Sequence, residues 1–374
     1  MKFSCEKALL QSAIATSSRA TAPKSSIPAL EGILLEANQE LRLTGYNLET
    51  GIRTVVPADI REGGSLVLSA RLFGDIVRRL PDDVISVETE GLTVYIQCGV
   101  SKFQIQGIDP EEFPELPEVE TQNALVLPRG ILSDMISRTI FAVSNNDGRP
   151  ILTGSLFEVV GNVLTVVSVD GQRLALRREK LEQAPGRDFS FVVPGSALGE
   201  VRSICGDSEE EVAINTGARH ILFRIGSTLL VTRRLEGEFL NYRQSISWKS
   251  DIRLEVVVKQ LMTSIDRVSL ILQENSKNPL RCIVGDGCIY LSSVTALGNA
   301  SDQCPVVGSG ADLHIGFNHR FMMDALKAVP AEEAKLLMGT PSTPCIIVPT
   351  DEAEGEESFL FMVLPVRMSA SWDK

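Results

Sequence analysis

The chain has 374 residues, 36 lysines and arginines against 48 aspartates and glutamates, a formal net charge of −12, and 44% hydrophobic residues. That content is enough for several buried cores and excludes wholesale disorder, and the acid excess argues against nonspecific nucleic-acid binding over the whole exterior. The longest apolar runs, such as residues 359–365, fall short of the ~18 residues of a membrane span, and Glu6, Lys7 and Gln11 interrupt any signal-peptide core, so a soluble cytoplasmic protein without membrane association is expected.

From the N-terminus, residues 6–14 have the spacing of an amphipathic helix, and Leu41-Arg42-Leu43-Thr44 alternates as a strand with one buried face. Strand-like Ser65-Leu66-Val67-Leu68 then enters a helix over 69–81, with apolar residues at 72, 73, 76, 77 and 80, Ser69 as N-cap and Pro81 as its stop. Residues 93–97 return to period two, and the acidic, proline-containing stretch 109–122 reads as a linker. The order recurs with a helix over 129–141, a strand at 191–193, a helix near 194–201, a strand at 220–225 and a polar linker at 242–251. A third series has a helix over 258–268, a strand at 313–315, a helix over 318–330 and the apolar run 359–368, read as a final core strand with room for an exposed apolar patch.

Segments 69–81 and 318–330 share more than periodicity. Their closing prolines stand 330 − 81 = 249 residues apart, and Arg71, Asp75 and Arg78 recur as Arg320, Asp324 and Lys327. About half that offset reaches Ala197, Leu198 and Val201, with Ser196 and Ser203 where the outer repeats carry cations. A fixed period sets the architecture. The fold class expected is α+β, with three similar domains at 1–122, 123–248 and 249–374, each built from antiparallel sheets and about two helices.

Catalytic chemistry needs a constellation, and the sequence carries none of the common ones: no GxxxxGK[ST], HExxH, GxSxG or EF-hand pattern. The seven cysteines are scattered without a zinc-ligand spacing, His220 and His314 fall in strand-like alternation, and His319 opens a helix. A non-enzyme with no metal or cofactor is therefore expected. An enzyme whose site is assembled from distant residues and a protein-interaction scaffold without a nucleic-acid role are the alternatives.

Five stretches carry a family resemblance: the opening Met1-Lys2-Phe3, Leu43-Thr44-Gly45-Tyr46-Asn47-Leu48-Glu49, Ser168-Val169-Asp170-Gly171-Gln172-Arg173-Leu174-Ala175, Leu235-Glu236-Gly237-Glu238-Phe239-Leu240-Asn241-Tyr242, and the ending Met362-Val363-Leu364-Pro365-Val366-Arg367-Met368. With the triplication, they make the whole chain resemble the bacterial DNA polymerase III beta subunits, the sliding clamps. The resemblance implies a head-to-tail homodimeric ring around double-stranded DNA, held without sequence preference. It also implies partners that carry a clamp-binding motif, among them the polymerase III alpha subunit and the clamp loader. Lys24, Arg71, Arg78, Arg129, Arg138, Lys259, Arg267 and Arg320 are the candidate DNA-facing residues. Phe103 and Ile105 on one side and Ile271 and Leu272 on the other are the expected dimer interface. A partner-peptide cleft is implied at Leu152, Val169, Gly171, Gln172, Arg173, Leu174, Leu240, Met362, Leu364, Pro365, Val366, Arg367 and Met368. Residues 369–374 extend past the family's usual end.

Overall fold

The computed structural model describes residues 1–146, 148–246, 250–272, 278–285, 287–309, 312–353 and 355–367. The helices among them are α1 (Lys7–Ser18), α2 (Ala70–Arg79), α3 (Arg129–Ser137), α4 (Gly195–Cys205), α5 (Tyr242–Ile246), α6 (Val258–Ser269) and α7 (His319–Ala328). Six match periodic segments of the sequence. The seventh, α5, lies in the stretch expected to be a linker, because Tyr242 is 3% exposed and packs into a core.

Caps explain two of the helix starts. The Ser69 hydroxyl accepts the Leu72 N–H at 3.4 Å, and the Asn318 side chain accepts that of Arg320 at 3.0 Å. In α2, Phe73, Ile76 and Val77 are buried as their spacing requires, whereas Leu72 is exposed. The apolar stripe is thus one residue narrower than the periodicity suggests.

The strands pair antiparallel throughout and follow one repeated plan. A first meander appears as Gly32–Ala37, Leu41–Tyr46 and Thr50–Val56, again as Gly154–Val160, Val163–Val169 and Arg173–Lys180, and again as Leu280–Gly285, Cys288–Thr295 and Gly298–Pro305. A second appears as Val84–Glu90, Thr93–Cys98 and Ser101–Gln106, then Glu211–Thr216, His220–Ile225 and Thr228–Arg233, then Glu333–Met338, Cys345–Val348 and Phe359–Val363. Strand Thr50–Val56 pairs with Thr228–Arg233, and Arg173–Lys180 pairs with Phe359–Val363, so half-sheets of successive repeats fuse into sheets of eight and nine strands. At the first fusion the hydroxyls of Thr54 and Thr228 meet at 3.0 Å and those of Thr50 and Thr232 at 3.3 Å, cross-strand pairs that satisfy buried polar groups. Ser101–Gln106 and Gly298–Pro305 remain at sheet edges.

The chain forms two compact bodies, Met1–Ser133 with Ser196–Arg234, and Asp134–Gly195 with Leu235–Lys374. The middle repeat supplies strands to both, since each of its half-sheets fuses with a different neighbour. In the first body, Phe3, Leu10, Ile33, Leu43, Phe73, Ile85 and Ile96 belong to one core. In the second, Leu261, Ile265, Phe317, Leu326 and Phe361 belong to one core, and Leu156, Leu174, Leu176, Tyr242, Leu360 and Met362 to another.

All seven cysteines are free thiols, and all but Cys288 are buried. Burial pushes the Cys205 thiol up to about 11 and Cys345 up to about 12, which makes them poor nucleophiles at neutral pH. The run expected as one strand over 359–368 divides: all five residues of Phe359–Val363 are buried in the sheet, and 364–367 leave it. Pro365 has no N–H for a ladder, which fits the strand's end at this point.

Candidate functional site

The turn at 170–172 organises the candidate peptide site. One Asp170 oxygen accepts the N–H groups of Gln172 at 2.9 Å and Arg173 at 3.0 Å, a local turn that an aspartate makes with its own backbone. Gly171 has φ 91°, a conformation that penalises any Cβ, and nothing lies within 4 Å of where a Cβ would be. The glycine thus answers to backbone geometry, and the space above it is open. The strand leaving this turn pairs Leu174 with Met362 and Arg173 with Val363. Just past that pairing, the Leu364 N–H donates to the Gln172 carbonyl at 2.9 Å, and the Val366 N–H donates to that of Gly316 at 2.8 Å.

This brings most of the implied cleft residues together. Val169, Leu174 and Met362 share one buried cluster with Leu156, Leu176 and Leu360, and form an apolar floor. Leu364 and Val366, each 36% exposed, and exposed Gln172 stand at its edge, with Pro365 half-buried between the first two. Leu240 is exposed, and its neighbours Phe239 and Tyr242 pack into the floor cluster. Leu152 is buried, and adjacent Ile151 packs on the same cluster. Arg367 is exposed, while Met368 lies outside the described residues, as does the extension 369–374.

Arg173 does something the sequence does not reveal. Its guanidinium bonds Asp170 at 2.8 Å and Asp324 of α7 at 2.6 Å, and it lies over the rings of Phe321, at 4.4 Å, and Phe141, at 5.4 Å. With its side chain only 12% exposed and its charge paired, it is a strut for the turn and leaves little capacity for a partner's carboxylate.

Among the basic candidates, exposure separates two groups. Lys24, Arg71 and Lys259 are exposed and have no acidic partner among the described residues. Arg78 pairs with Asp75 on its own helix, and Arg267 pairs with Asp302 at 2.7 Å while staying largely exposed. There burial would raise the Asp302 carboxyl, but bonds from the Gln303 N–H and from Arg267 outweigh it and hold it below the usual range. Arg320 is exposed at the start of α7. Arg129 and Arg138 are different: Arg129 bonds Glu210 at 2.6 Å with its side chain 14% exposed, and Arg138 bonds Asp134 at 2.5 Å and the Ala328 carbonyl at 2.6 Å. These two are occupied by structure.

The candidate interface residues also divide. Phe103 is exposed on the edge strand Ser101–Gln106, and Ile105 packs against the first core. Leu272 is buried and Ile271 half-buried, whereas the neighbouring Leu270 is 80% exposed just past α6. Three consecutive apolar residues at a helix end do not by themselves reveal which one faces outward.

Comparison with known proteins gives a consistent result over the whole chain. Residues 1–117, 126–241 and 244–365 match the models of the DNA polymerase III beta subunit N-terminal, central and C-terminal domains. The chain is similar to the beta sliding clamp of Staphylococcus aureus, with 31% identity over 98% of this chain and 99% of the relative. Among solved structures, a putative DNA polymerase III beta subunit from Eubacterium rectale is 33% identical with a TM-score of 0.93, over 98% of this chain and 100% of the other. The DNA polymerase sliding clamp from Bacillus subtilis is 29% identical with a TM-score of 0.94, over 99% of this chain and 100% of the other.

Proposed function

The chain belongs to the DNA polymerase III beta subunit family, the beta sliding clamps, and on that premise we propose that it is a processivity factor in the cytoplasm. It closes as a head-to-tail homodimeric ring around duplex DNA and tethers the polymerase III alpha subunit, the clamp loader and other proteins that carry a clamp-binding motif. It catalyses no reaction itself. The three domains of this reading run over 1–122, 123–248 and 249–374.

The strand pattern is the observation that carries the proposal. Twice the last strand of a first meander pairs with the last strand of the next repeat's second meander, Thr50–Val56 with Thr228–Arg233 and Arg173–Lys180 with Phe359–Val363. The two strands left over by that rule are Gly298–Pro305 and Ser101–Gln106, and both are edges. An unpaired edge is a template for another chain. Applying the same junction between chains joins the third repeat of one copy to the first of the other, and two copies close the set. Phe103 and Leu270, both exposed, are the apolar residues this junction covers.

DNA retention then requires only phosphate contact, which needs cations without a base-reading code. Lys24, Arg71 and Lys259 are the strongest candidates, being exposed and without an acidic partner among the described residues, followed by the exposed Arg78, Arg267 and Arg320. Partner capture falls to the floor of Val169, Leu174 and Met362 and the rim of Leu240, Leu364 and Val366, an apolar surface edged by backbone polar groups. The test is retention on DNA after loading. The protein should stay on nicked circular DNA and run off the same DNA once linearised; equal retention on both would reject a closed ring.

A further inference from the structure

The first body contains a cavity of about 1220 Å³ that the reading above leaves without a role. The segment 110–121 covers it, and beneath lie Glu36, Thr44, Arg53, Leu222, Arg224 and Val231 of the eight-stranded sheet. One carboxylate oxygen of Glu36, Oε2, is shielded from solvent and has no hydrogen-bond partner among the described residues. A buried carboxylate oxygen without a donor costs on the order of 1–3 kcal/mol, and the half-buried Glu36 lines the cavity, so a donor that enters there can reach its carboxylate.

The middle repeat identifies the donor chemistry. Pro28, Leu30, Gly32, Leu34 and Glu36 recur with the same spacing as Pro150, Leu152, Gly154, Leu156 and Glu158. The register recurs as well: Glu36 stands opposite Ser65 and Glu158 opposite Ser190, and the following linkers begin at bridges of Ile108 to Val67 and Leu235 to Val192. Glu158 is fully served. Its Oε2 accepts the Tyr242 hydroxyl at 2.6 Å and the Arg243 guanidinium at 2.5 Å, and its Oε1 accepts Arg243 at 3.1 Å.

Aligning Phe113 with Phe239 in the two linkers places Leu116 and Pro117 at the positions of Tyr242 and Arg243. Neither can donate a side-chain hydrogen bond. Leu116 instead reaches over Gly51, its Cδ2 2.3 Å from where a Cβ would be, so that segment is seated by shape alone. Arg42, opposite Glu36 on the adjacent strand, gives its Nε and Nη2 to Glu40 at 3.0 and 2.9 Å, and Arg53 gives its Nε to Thr44. Around the cavity, Glu36, Glu111, Glu115 and Glu118 outnumber Arg53 and Arg224, which leaves a net negative lining.

We propose that this cavity receives an arginine side chain from a partner protein, its guanidinium bound by Glu36 as Arg243 is bound by Glu158. Guanidinium supplies the planar paired donors that a carboxylate accepts, and Leu222, Leu229, Val231, Phe113 and Leu116 supply apolar contact for its stem and neighbours. The site is separate from the peptide cleft around Gln172 and Leu364, so one protomer offers two different receptors.

Calorimetry on the full chain with the peptide acetyl-Leu-Arg-Leu-amide tests this. Replacing the arginine by norleucine, or Glu36 by Gln, should each weaken binding by about tenfold or more, and deleting residues 366–374 should not alter it. The paired change Leu116→Tyr with Pro117→Arg rebuilds the internal donors; it should abolish peptide binding and raise the melting temperature, and the rise should vanish when combined with E36Q. Equal binding of the arginine and norleucine peptides, equal binding to E36Q, or a rebuilt pair that neither stabilises nor blocks would each overturn the proposal.

Discussion

The N–H of Leu364 and the carbonyl of Gln172 form a 2.9 Å hydrogen bond that holds the C-terminal tail against the turn of another repeat. Two residues on, Val366 donates to Gly316, so the tail is anchored on both sides of Pro365. Truncation before Val366 removes the second anchor and an apolar rim. A variant lacking 366–374 should therefore lose binding of polymerase-derived peptides in fluorescence polarisation while keeping the parent's melting temperature within a few degrees. Undiminished peptide affinity would place partner capture elsewhere.

Arg173 should behave as a structural residue. Removing the guanidinium leaves Asp170, 15% exposed, and Asp324 without their cation, and strips a cation from between Phe141 and Phe321. Arg173→Ala is expected to cost about 3 kcal/mol in denaturant unfolding. Arg367→Ala, on an exposed side chain, should leave stability unchanged.

Edge pairing between copies predicts a division among interface variants. Leu270→Asp and Phe103→Asp alter exposed side chains and should give a folded monomer in sedimentation velocity. Leu272→Asp places a charge in the core and should lower the melting temperature as well. Dimers that persist in both L270D and F103D would exclude this junction.

For DNA, the triple change Lys24→Gln, Arg71→Gln and Lys259→Gln should shift release from nicked circles to lower salt. The slope of log affinity against log salt should fall by about 0.9 for each phosphate that is no longer neutralised. Arg138→Gln should act mainly on stability, because its guanidinium holds Asp134 and the Ala328 carbonyl.

His319 begins α7, and burial together with neighbouring Arg320 lowers its pKa below the ordinary 6.5. In the window between the folded value and 6.5 the unfolded chain binds more protons, so the contribution of His319 is complete above 6.5 and is lost as pH falls through the folded value. Thermal unfolding between pH 7 and pH 5 should show a steeper loss of stability in the parent than in His319→Asn. Identical slopes would mean that this imidazole is not responsible.

Periodicity, with the matched prolines and charges, makes the repeat legible: the apolar spacing of 69–81 and its copy at 318–330 is a local property of each helix, and α2 and α7 form where it puts them. The turn at Asp170 is equally local in origin, since an aspartate, a glycine and their own backbone suffice to make it. The Asp170–Gly171–Gln172 loop and the residues 362–366 drew attention as motifs, but their adjacency arises from a strand pairing between segments almost two hundred residues apart, for which neither segment carries a local signal. Charge use is likewise a tertiary matter. Arg71 and Arg129 look alike on their helices, yet the first is exposed and the second is paired with Glu210. The difference lies in which acid the fold brings within reach, and for the same reason Glu36 and Glu158, alike in sequence, differ in whether a tyrosine and an arginine come back to meet them.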